Sequence, residues 1–142
     1  MADWIINDKS KIDLWDVDVA RVLDFQDDDE YLRERSSETL GLLYAVHWPY
    51  YQFETSRNKI KSPLYNQLEK EGACFGEAAG WERPNWFTNN GQRPEYQYSY
   101  HKQNWFENVR SECIAVRNDI GLFELTSFSK FIIRGDDVCL LY

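Results

Sequence analysis

Basic side chains are scarce in this sequence compared with acidic ones. The 142 residues include 16 Lys and Arg against 24 Asp and Glu, which gives a formal net charge of -8 at pH 7. Nucleic acids and anionic lipids attract proteins through a basic surface. The charge balance therefore argues against a nonspecific polyanion binder, and we expect no nucleic-acid partner.

Long apolar runs are missing. No run approaches the roughly 20 apolar residues that a membrane-spanning helix needs. Residues 1–11 also lack the basic-then-apolar order of a secretory signal peptide. We therefore expect no membrane partner and a cytoplasmic location.

Histidine and cysteine are too sparse and too widely spaced to predict a metal site. His47 and His101 each lack a second ligand-type residue at metal-binding spacing, so we expect both to be structural or exposed. Cys74, Cys113 and Cys139 are odd in number and lie in apolar surroundings. This pattern favours reduced, buried thiols over disulfides or zinc, and no metal ligand is predicted.

The motifs of common catalytic sites are missing as well. The sequence has no Gly-x-Gly-x-x-Gly fingerprint, no Walker-type loop and no Gly-x-Ser-x-Gly elbow. The dinucleotide, phosphate and acyl-transfer sites that these motifs build are therefore not expected. No pair of carboxylates stands out as acid and base. The residues alone predict no catalytic residue and identify no cofactor-binding residue.

One charged pair and one basic cluster are candidates for a functional role. Glu82 and Arg83 are neighbours that suit a functional pair, but an ion pair that pins a tight aromatic turn is the favoured interpretation. A local basic cluster is formed by Arg57, Lys59 and Lys61. It suits an anionic cofactor or a carboxylate substrate, although a surface ion-pair network is the commoner role of such clusters.

Residues 72–87 form a dense stretch of aromatic residues and glycine. The chain is 43% hydrophobic and 16% aromatic, which is enough for a packed core, and this stretch holds three glycines, two tryptophans and two phenylalanines. Large rings left in water cost free energy and invite aggregation. We predict a glycine-punctuated strand pair or crossover here, covered by the helices on either side.

Helices are predicted before this stretch. Carboxylates at residues 27–30 favour a helix start, and the helix should run to about Tyr44 with its charged residues in solvent. Its inward face is predicted from the helical spacing of Leu32, Ser36, Leu40 and Leu43. Residues 49–61 are predicted to be irregular, with Glu54 and Arg57 pairing across a turn. A short helix is expected between Ser62 and Gly72.

A loop and a further helix are predicted after the aromatic stretch. Residues 88–100 should form a surface loop that leads into a strand-like ladder of Tyr96, Tyr98 and Tyr100. A capping box of Asn104 and Glu107 predicts a helix that ends near Gly121. Its apolar face is predicted from the spacing of Phe106, Val109, Cys113, Val116 and Ile120.

The two ends of the chain carry weaker patterns. The alternation of Ile12, Leu14, Val17 and Val19 predicts a short extended segment. Residues 122–125 and 128–134 predict two short strands joined by a turn at residues 126–127, and a helix should begin at Gly135. So short a last helix would leave its apolar side chains uncovered. We therefore expect a fragment of a longer protein, with an α+β fold and no self-contained active site.

Several segments resemble one enzyme family. The longest and most unusual in composition is Gly-Trp-Glu-Arg-Pro-Asn-Trp-Phe at residues 80–87. Shorter ones lie at residues 13–18, 31–35, 54–57, 62–65, 72–76, 104–106, 115–118, 121–125 and 127–131. Together these segments, which extend over almost the whole chain, resemble the dimethylglycine dehydrogenase, sarcosine dehydrogenase and dimethylglycine oxidase family.

The resemblance implies a domain order and a role. Residues 1–25 would end an FAD-dependent oxidoreductase domain, residues 26–61 would form a central linking domain, and residues 62–142 would begin a T-protein-like folate-binding domain. The parent protein would demethylate an N-methylglycine such as dimethylglycine or sarcosine with FAD and pass the one-carbon unit to tetrahydrofolate. In a eukaryote its location would be the mitochondrial matrix.

The same resemblance places the catalytic residues outside this chain. The family's glycine-rich FAD loop would precede Met1 and its folate-site aspartate would follow Tyr142, so we expect the fragment alone to be inactive and to hold neither cofactor. Its partners would be the rest of its own chain and, in the parent, a small-molecule substrate. Two alternatives stay open: a stand-alone aminomethyltransferase-like folate-binding module, and a noncatalytic interaction module that uses the tyrosine ladder.

Overall fold

The computed structural model describes residues 2–8, 12–18, 21–89 and 91–135. Its helices are α1 (Ala2–Asn7), α2 (Asp29–Leu42), α3 (Tyr65–Lys70) and α4 (Phe106–Asn118), and its strands are β1 (Ala73–Ala78) and β2 (Trp81–Phe87). Short 3-10 turns lie at Trp15–Val17 and Asp24–Gln26. The mixture of helices with an antiparallel strand pair is consistent with the predicted α+β class. None of the described helices is long and apolar enough to cross a membrane.

The chain divides into two compact units. The first consists of Met1–His47 with Glu54–Ser56, and the second consists of Trp48–Phe53 with Arg57–Tyr142.

Helix α2 organises the first unit and confirms the prediction for this stretch. Its N-terminus is capped by Asp28, whose carboxylate accepts a hydrogen bond from the backbone N of Glu30 at 2.9 Å. Asp29 and Glu30 add negative charge to the first turn, where the helix dipole favours it. The helix ends at Leu42, close to the predicted end at Tyr44.

The predicted inward face of α2 is wrong. Tyr31 and Arg35 are buried, whereas Leu32 and Leu40 are exposed. The edge of the Phe25 ring meets Tyr31 at a centroid distance of 5.3 Å. The leucine spacing misidentified the face because the surface that α2 meets is mainly a polar backbone segment rather than an apolar core.

That polar segment is Glu54–Ser56, and three side chains of α2 hold it, among them Glu34, which accepts from the Ser56 hydroxyl at 3.0 Å. The Glu38 carboxylate accepts hydrogen bonds from the backbone N atoms of Glu54 at 2.8 Å and Thr55 at 2.9 Å, and from the Thr55 hydroxyl. Arg35 Nη2 donates to the carbonyl oxygen of Thr55 at 2.8 Å. Glu38 therefore accepts hydrogen bonds from the backbone. The prediction that its side chain belongs to a solvated face is wrong.

The extended segment predicted near the N-terminus is also wrong where the structure describes it. Trp15–Val17 forms a 3-10 turn, and the carboxylate of Asp13 accepts from the backbone N of Trp15 at 2.9 Å. Aspartate side chains commonly stabilise turns in this way, in competition with an extended backbone. Val19, part of the same prediction, lies outside the described residues.

The second unit is built on the predicted strand pair. Strands β1 and β2 are antiparallel, and the connecting residues Ala79 and Gly80 both have positive φ, as a two-residue type I′ turn requires. The register shifts between Cys74 and Phe75, so that Phe75 pairs with Pro84. Proline cannot donate a ladder hydrogen bond, and a bulge is where a strand tolerates one.

The flanking helices cover the hairpin as predicted. Helix α3 contacts β1 and α4 contacts β2. Helix α3 begins at Tyr65, three residues after the predicted cap at Ser62, whose hydroxyl accepts from the backbone N of Leu64 at 3.3 Å. Gly72 follows the helix with φ of 86°, a backbone conformation that glycine adopts without a side-chain clash.

Helix α4 is present as predicted, but its predicted cap and its predicted inward face are wrong. Asn104 does not cap it, because its side chain accepts from the backbone N of Gln97 at 3.1 Å and donates to the Glu95 carbonyl oxygen at 2.9 Å. Asn108 is buried, whereas Phe106 is 47% exposed. As in α2, the spacing of apolar residues did not identify the buried face.

No strand is present among the described residues 119–135, so the strands predicted at 122–125 and 128–134 are wrong. The turn between them is real: the backbone N of Phe128 donates to the Leu125 carbonyl oxygen at 3.1 Å. Apolar alternation alone cannot make a strand without a second strand to pair with. The helix predicted from Gly135 falls on residues 136–142, outside the described part of the chain.

We expect Glu38→Ala to release residues 54–55 from α2. The variant removes the acceptor for two backbone N–H groups, and we expect their amide hydrogens to exchange with solvent at least about tenfold faster, which corresponds to about 1.4 kcal/mol of lost protection. Residue-resolved hydrogen exchange measures this. Ser37→Ala, an exposed position on the same helix, is the control. Equal exchange rates in both variants would contradict this role for Glu38.

Candidate functional site

A buried ion pair between Arg57 and Glu82 lies at the centre of the second unit. The Glu82 side chain on β2 is 1% exposed and that of Arg57 is 23% exposed. Arg57 Nε donates to Glu82 Oε1 at 2.9 Å, and Nη2 donates to Oε2. The pair is thus bidentate, the geometry in which guanidinium binds carboxylate most specifically.

The backbone next to Arg57 completes the shell around the carboxylate. The backbone N of Asn58 donates to Glu82 Oε1 at 2.6 Å. Asn58 has φ of 65°, in the left-handed region that asparagine tolerates better than most residues. Three donors from two adjacent residues therefore meet one carboxylate: Nε and Nη2 of Arg57 and the backbone N of Asn58.

Arg57 also binds two other parts of the unit. Its Nη1 donates to the carbonyl oxygen of Phe53 at 3.1 Å, and its Nη2 donates to that of Phe75 on β1 at 3.2 Å. One guanidinium therefore joins its own preceding segment and both strands of the hairpin. Its donors go to protein acceptors, which suits positioning rather than the binding of a cofactor phosphate.

The electrostatics of the pair follow from burial and hydrogen bonding. Burial by itself would raise the pKa of Glu82, but the hydrogen bonds from Arg57 and the backbone N of Asn58 outweigh it and hold that pKa below its ordinary value of 4.5. The hydrogen bond to Glu82 raises the pKa of Arg57. Both groups are charged near neutral pH, and neither is poised for proton transfer.

The structure corrects the two ion pairs predicted from sequence. Glu82 does not pair with Arg83, because successive side chains of a strand point to opposite faces, and the Arg83 guanidinium lies over the Phe128 ring at 4.6 Å. Arg57 pairs with Glu82 and not with Glu54. A carboxylate inside a buried aromatic strand needs a cation, but the sequence alone did not say which one.

The structure does not gather the basic cluster of Arg57, Lys59 and Lys61 around one anion site. Arg57 is committed to Glu82, and Lys61 Nζ lies 4.1 Å from the centre of the Tyr65 ring. Lys59 is exposed. The sequence interpretation as a binding site for an anionic cofactor therefore gains no support from these contacts.

An aromatic cluster packs against the end of β2. Tyr96 stacks on Tyr98 at 5.9 Å with an interplanar angle of 9°, and Trp105 meets these rings edge-on at 5.2 and 6.1 Å. Trp86, 1% exposed, contacts Tyr96 and Trp105. Tyr96 and Tyr98 of the predicted ladder are therefore half-buried in this cluster, and the ladder is not a strand, because no strand is present among the described residues 88–100.

Hydrogen bonds fix two tyrosines of this cluster. The side-chain amide of Asn85 donates to the Tyr96 hydroxyl at 2.8 Å, and the backbone N of Gln52 donates to the Tyr98 hydroxyl at 3.0 Å. Burial raises the pKa of Tyr96. Tyr100 stands apart, since it is 61% exposed and its ring lies 4.8 Å from that of Trp48, tilted by 35°.

The cysteines and histidines do not form a site among the described residues. Cys74 is buried as predicted, Cys113 is exposed contrary to prediction, and Cys139 lies outside the described residues. His47 and His101 are both exposed. In the part of the chain that the structure describes, no group of three His, Cys, Asp or Glu side chains could hold a metal ion.

Two family matches divide this chain almost completely between them. Residues 7–62 match the FAD dependent oxidoreductase central domain, and residues 64–141 match the GCVT N-terminal domain. The chain belongs to the family of the GCVT N-terminal domain, whose match covers more than half of its residues. The two matches, together with mouse dimethylglycine dehydrogenase and human sarcosine dehydrogenase among the relatives, confirm the resemblance predicted from residues 80–87 and the shorter segments.

Curated relatives match along nearly the whole chain. The 4-methylaminobutanoate oxidase (formaldehyde-forming) of Paenarthrobacter nicotinovorans is 44% identical over 137 residues, which cover 96% of this chain and 17% of that protein. Mouse dimethylglycine dehydrogenase, mitochondrial, is 33% identical over 138 residues, 96% of this chain and 16% of that protein. The mouse pyruvate dehydrogenase phosphatase regulatory subunit, mitochondrial, is 30% identical over 142 residues, again 96% and 16%.

This chain therefore spans about a sixth of the length of these relatives. Within it, the two partners of the buried ion pair fall in different family matches. Arg57 belongs to the central-domain match and Glu82 to the GCVT match. In this family member, the ion pair joins the end of one domain sequence to the start of the next.

We expect the contribution of Glu82 to stability to depend on pH. Its folded-state pKa is lowered, so the ionised pair stabilises fully above pH 4.5 and loses this effect as pH falls through the folded pKa. Glu82→Gln should cost about 3 kcal/mol in the free energy of unfolding of the second unit near neutral pH, and the difference should shrink in acid.

Denaturant titrations of wild type and variant at several pH values measure this difference. Glu107→Gln is the matched control, because Glu107 also has a lowered pKa, from its hydrogen bonds to Lys102 and Arg110, but is solvent-exposed. We expect its effect to be much smaller. A Glu82→Gln cost that does not change between neutral pH and acid would contradict the charged pair.

We expect the two described cysteines to differ strongly in reactivity. Burial raises the pKa of the Cys74 thiol to about 11, whereas Cys113 is exposed. Because the thiolate is the nucleophile, iodoacetamide near pH 8 should label Cys113 first and Cys74 only after denaturation. Peptide mapping by mass spectrometry checks this. Labelling of Cys74 as fast as Cys113 in the folded protein would show that the hairpin is open.

Proposed function

We propose that this chain is the junction of a flavin-dependent enzyme that oxidatively demethylates an N-methylated amino acid and passes the one-carbon unit to tetrahydrofolate. Residues 1–25 would end its FAD domain, residues 26–61 would form its central linking domain, and residues 62–142 would begin its folate-binding domain. The catalytic residues would lie in the rest of the parent protein, and this chain alone would hold neither FAD nor tetrahydrofolate.

The observation that carries the proposal is the order of the two family matches. The match to the FAD dependent oxidoreductase central domain ends at residue 62 and the match to the GCVT N-terminal domain begins at residue 64, with one residue between them. A flavin oxidoreductase and a folate-type domain in one chain suit a reaction that releases a one-carbon unit and then captures it. The ion pair between Arg57 and Glu82 supports a fixed attachment at the point where the two sequences meet.

The relatives support N-methylated amino acids as the substrate class. Dimethylglycine dehydrogenase and 4-methylaminobutanoate oxidase are both named for an N-methylated amino acid. The latter has the higher identity, which extends the candidates from N-methylglycines to a longer amino acid. We propose a cytoplasmic location or, in a eukaryote, the mitochondrial matrix, because the mouse dehydrogenase is mitochondrial by name.

The test uses the protein encoded by the full reading frame that contains this chain. We expect it to purify with flavin, and we expect anaerobic 4-methylaminobutanoate, dimethylglycine or sarcosine to bleach the flavin absorbance. The unmethylated compounds 4-aminobutanoate and glycine are matched controls and should not do so. Tetrahydrofolate should lower the yield of free formaldehyde. Absence of flavin, or flavin that no N-methylated amino acid reduces, would contradict the proposal.

A stand-alone folate-binding module is the second candidate, since the GCVT match covers residues 64–141. A titration of the 142-residue chain with tetrahydrofolate separates the two: our proposal expects no saturable binding, and saturation would favour the module. The tyrosine ladder gives less support to an interaction module, because Tyr96 and Tyr98 pack on Trp105 and Tyr100 is the exposed ring of the three.

A further inference from the structure

The sequence boundary between the two family matches does not coincide with a structural boundary. Residues 57–62 are the last residues of the central-domain match. In the structure they belong to the same compact unit as the GCVT match. This difference raises the question of what holds these residues to the hairpin.

Backbone hydrogen bonds hold them along the edge of β2. The backbone N of Ile60 donates to the Gly80 carbonyl oxygen at 3.0 Å, and the backbone N of Glu82 donates to the Ile60 carbonyl oxygen at 2.9 Å. Ile60 thereby forms a parallel bridge with Trp81. The bridge is a single one, so the segment meets the sheet edge at Ile60 rather than along a full strand.

The side-chain chemistry makes this edge selective for the segment. Glu82 is buried on the hairpin, and Arg57 and the backbone N of Asn58 are its donors. A buried carboxylate that loses its cation is left uncompensated, which is far more destabilising than never having had the pair. The stability of the hairpin therefore depends on the donors that the segment supplies, and the position of the segment depends on the hairpin.

We infer that residues 57–61, although they belong to the central-domain sequence, are an integral edge segment of the GCVT unit, and that Arg57 makes the folding of the hairpin depend on them. Folding of the GCVT unit is then coupled to the last residues of the central-domain sequence. The inference rests on the contacts of these residues and stands whether or not the proposed activity is found.

Hydrogen exchange on the 142-residue chain tests this without any substitution. If residues 57–61 are an integral part of the unit, the amide hydrogen of Ile60 exchanges as slowly as that of Thr88, which bonds to the Gly72 carbonyl oxygen at the other end of the hairpin. Similar slow rates across denaturant concentrations would indicate one cooperative unit. Ile60 exchange at the rate of an open loop, beside a protected Thr88, would overturn the inference.

A pair of arginine variants tests the role of Arg57. We expect Arg57→Met to speed exchange of the Ile60 and Glu82 amides at least about tenfold. Arg83→Met, which removes a guanidinium from the same hairpin without touching Glu82, should change them less than about threefold. If Arg57→Met loses protection throughout the hairpin while Arg83→Met stays folded, the dependence on Arg57 is supported. Unchanged Ile60 exchange in Arg57→Met would overturn it.

Discussion

The carboxylate of Glu82 is the constraint on which the second unit depends. It lies inside an aromatic hairpin, where an unpaired charge would be strongly destabilising. Three donors from Arg57 and Asn58 resolve this, and they can reach it only if the chain before α3 runs along the edge of β2. The hydrogen bonds of Ile60, the left-handed backbone at Asn58 and the attachment of Phe53 are consequences of that path.

An aromatic cluster packs at the other end of β2, where Trp86 contacts Tyr96 and Trp105, and α3 and α4 contact the two strands. At the ion pair itself the Glu82 side chain is 1% exposed. Low water access strengthens the attraction within the pair and makes its loss costly. The first unit uses related chemistry: Arg35 and Glu38 of α2 bind the backbone of Thr55 directly. In both units charged side chains hold irregular backbone.

Most helices and the strand pair could be predicted from the sequence, but the buried faces of the helices could not. Helix α2, helix α4 and the hairpin follow from local signals such as the cap at Asp28 and the glycines of residues 72–80, because local backbone chemistry decides where an element begins and ends. The buried side of α2 depends on Thr55, and the partner of Glu82 lies 25 residues away. Such contacts are set by tertiary structure. The prediction of Arg83, the sequence neighbour, as the ion-pair partner of Glu82 is therefore wrong.

A double-mutant cycle between Arg57→Met and Glu82→Gln measures the central claim most directly. The free energy of opening at the Ile60 amide is determined for wild type, both single variants and the double variant. If the buried pair joins the end of the central-domain sequence to the GCVT hairpin, the double variant should cost less than the sum of the single variants by about 2 kcal/mol or more. A coupling below about 0.5 kcal/mol would contradict the account, because the two residues would then act independently.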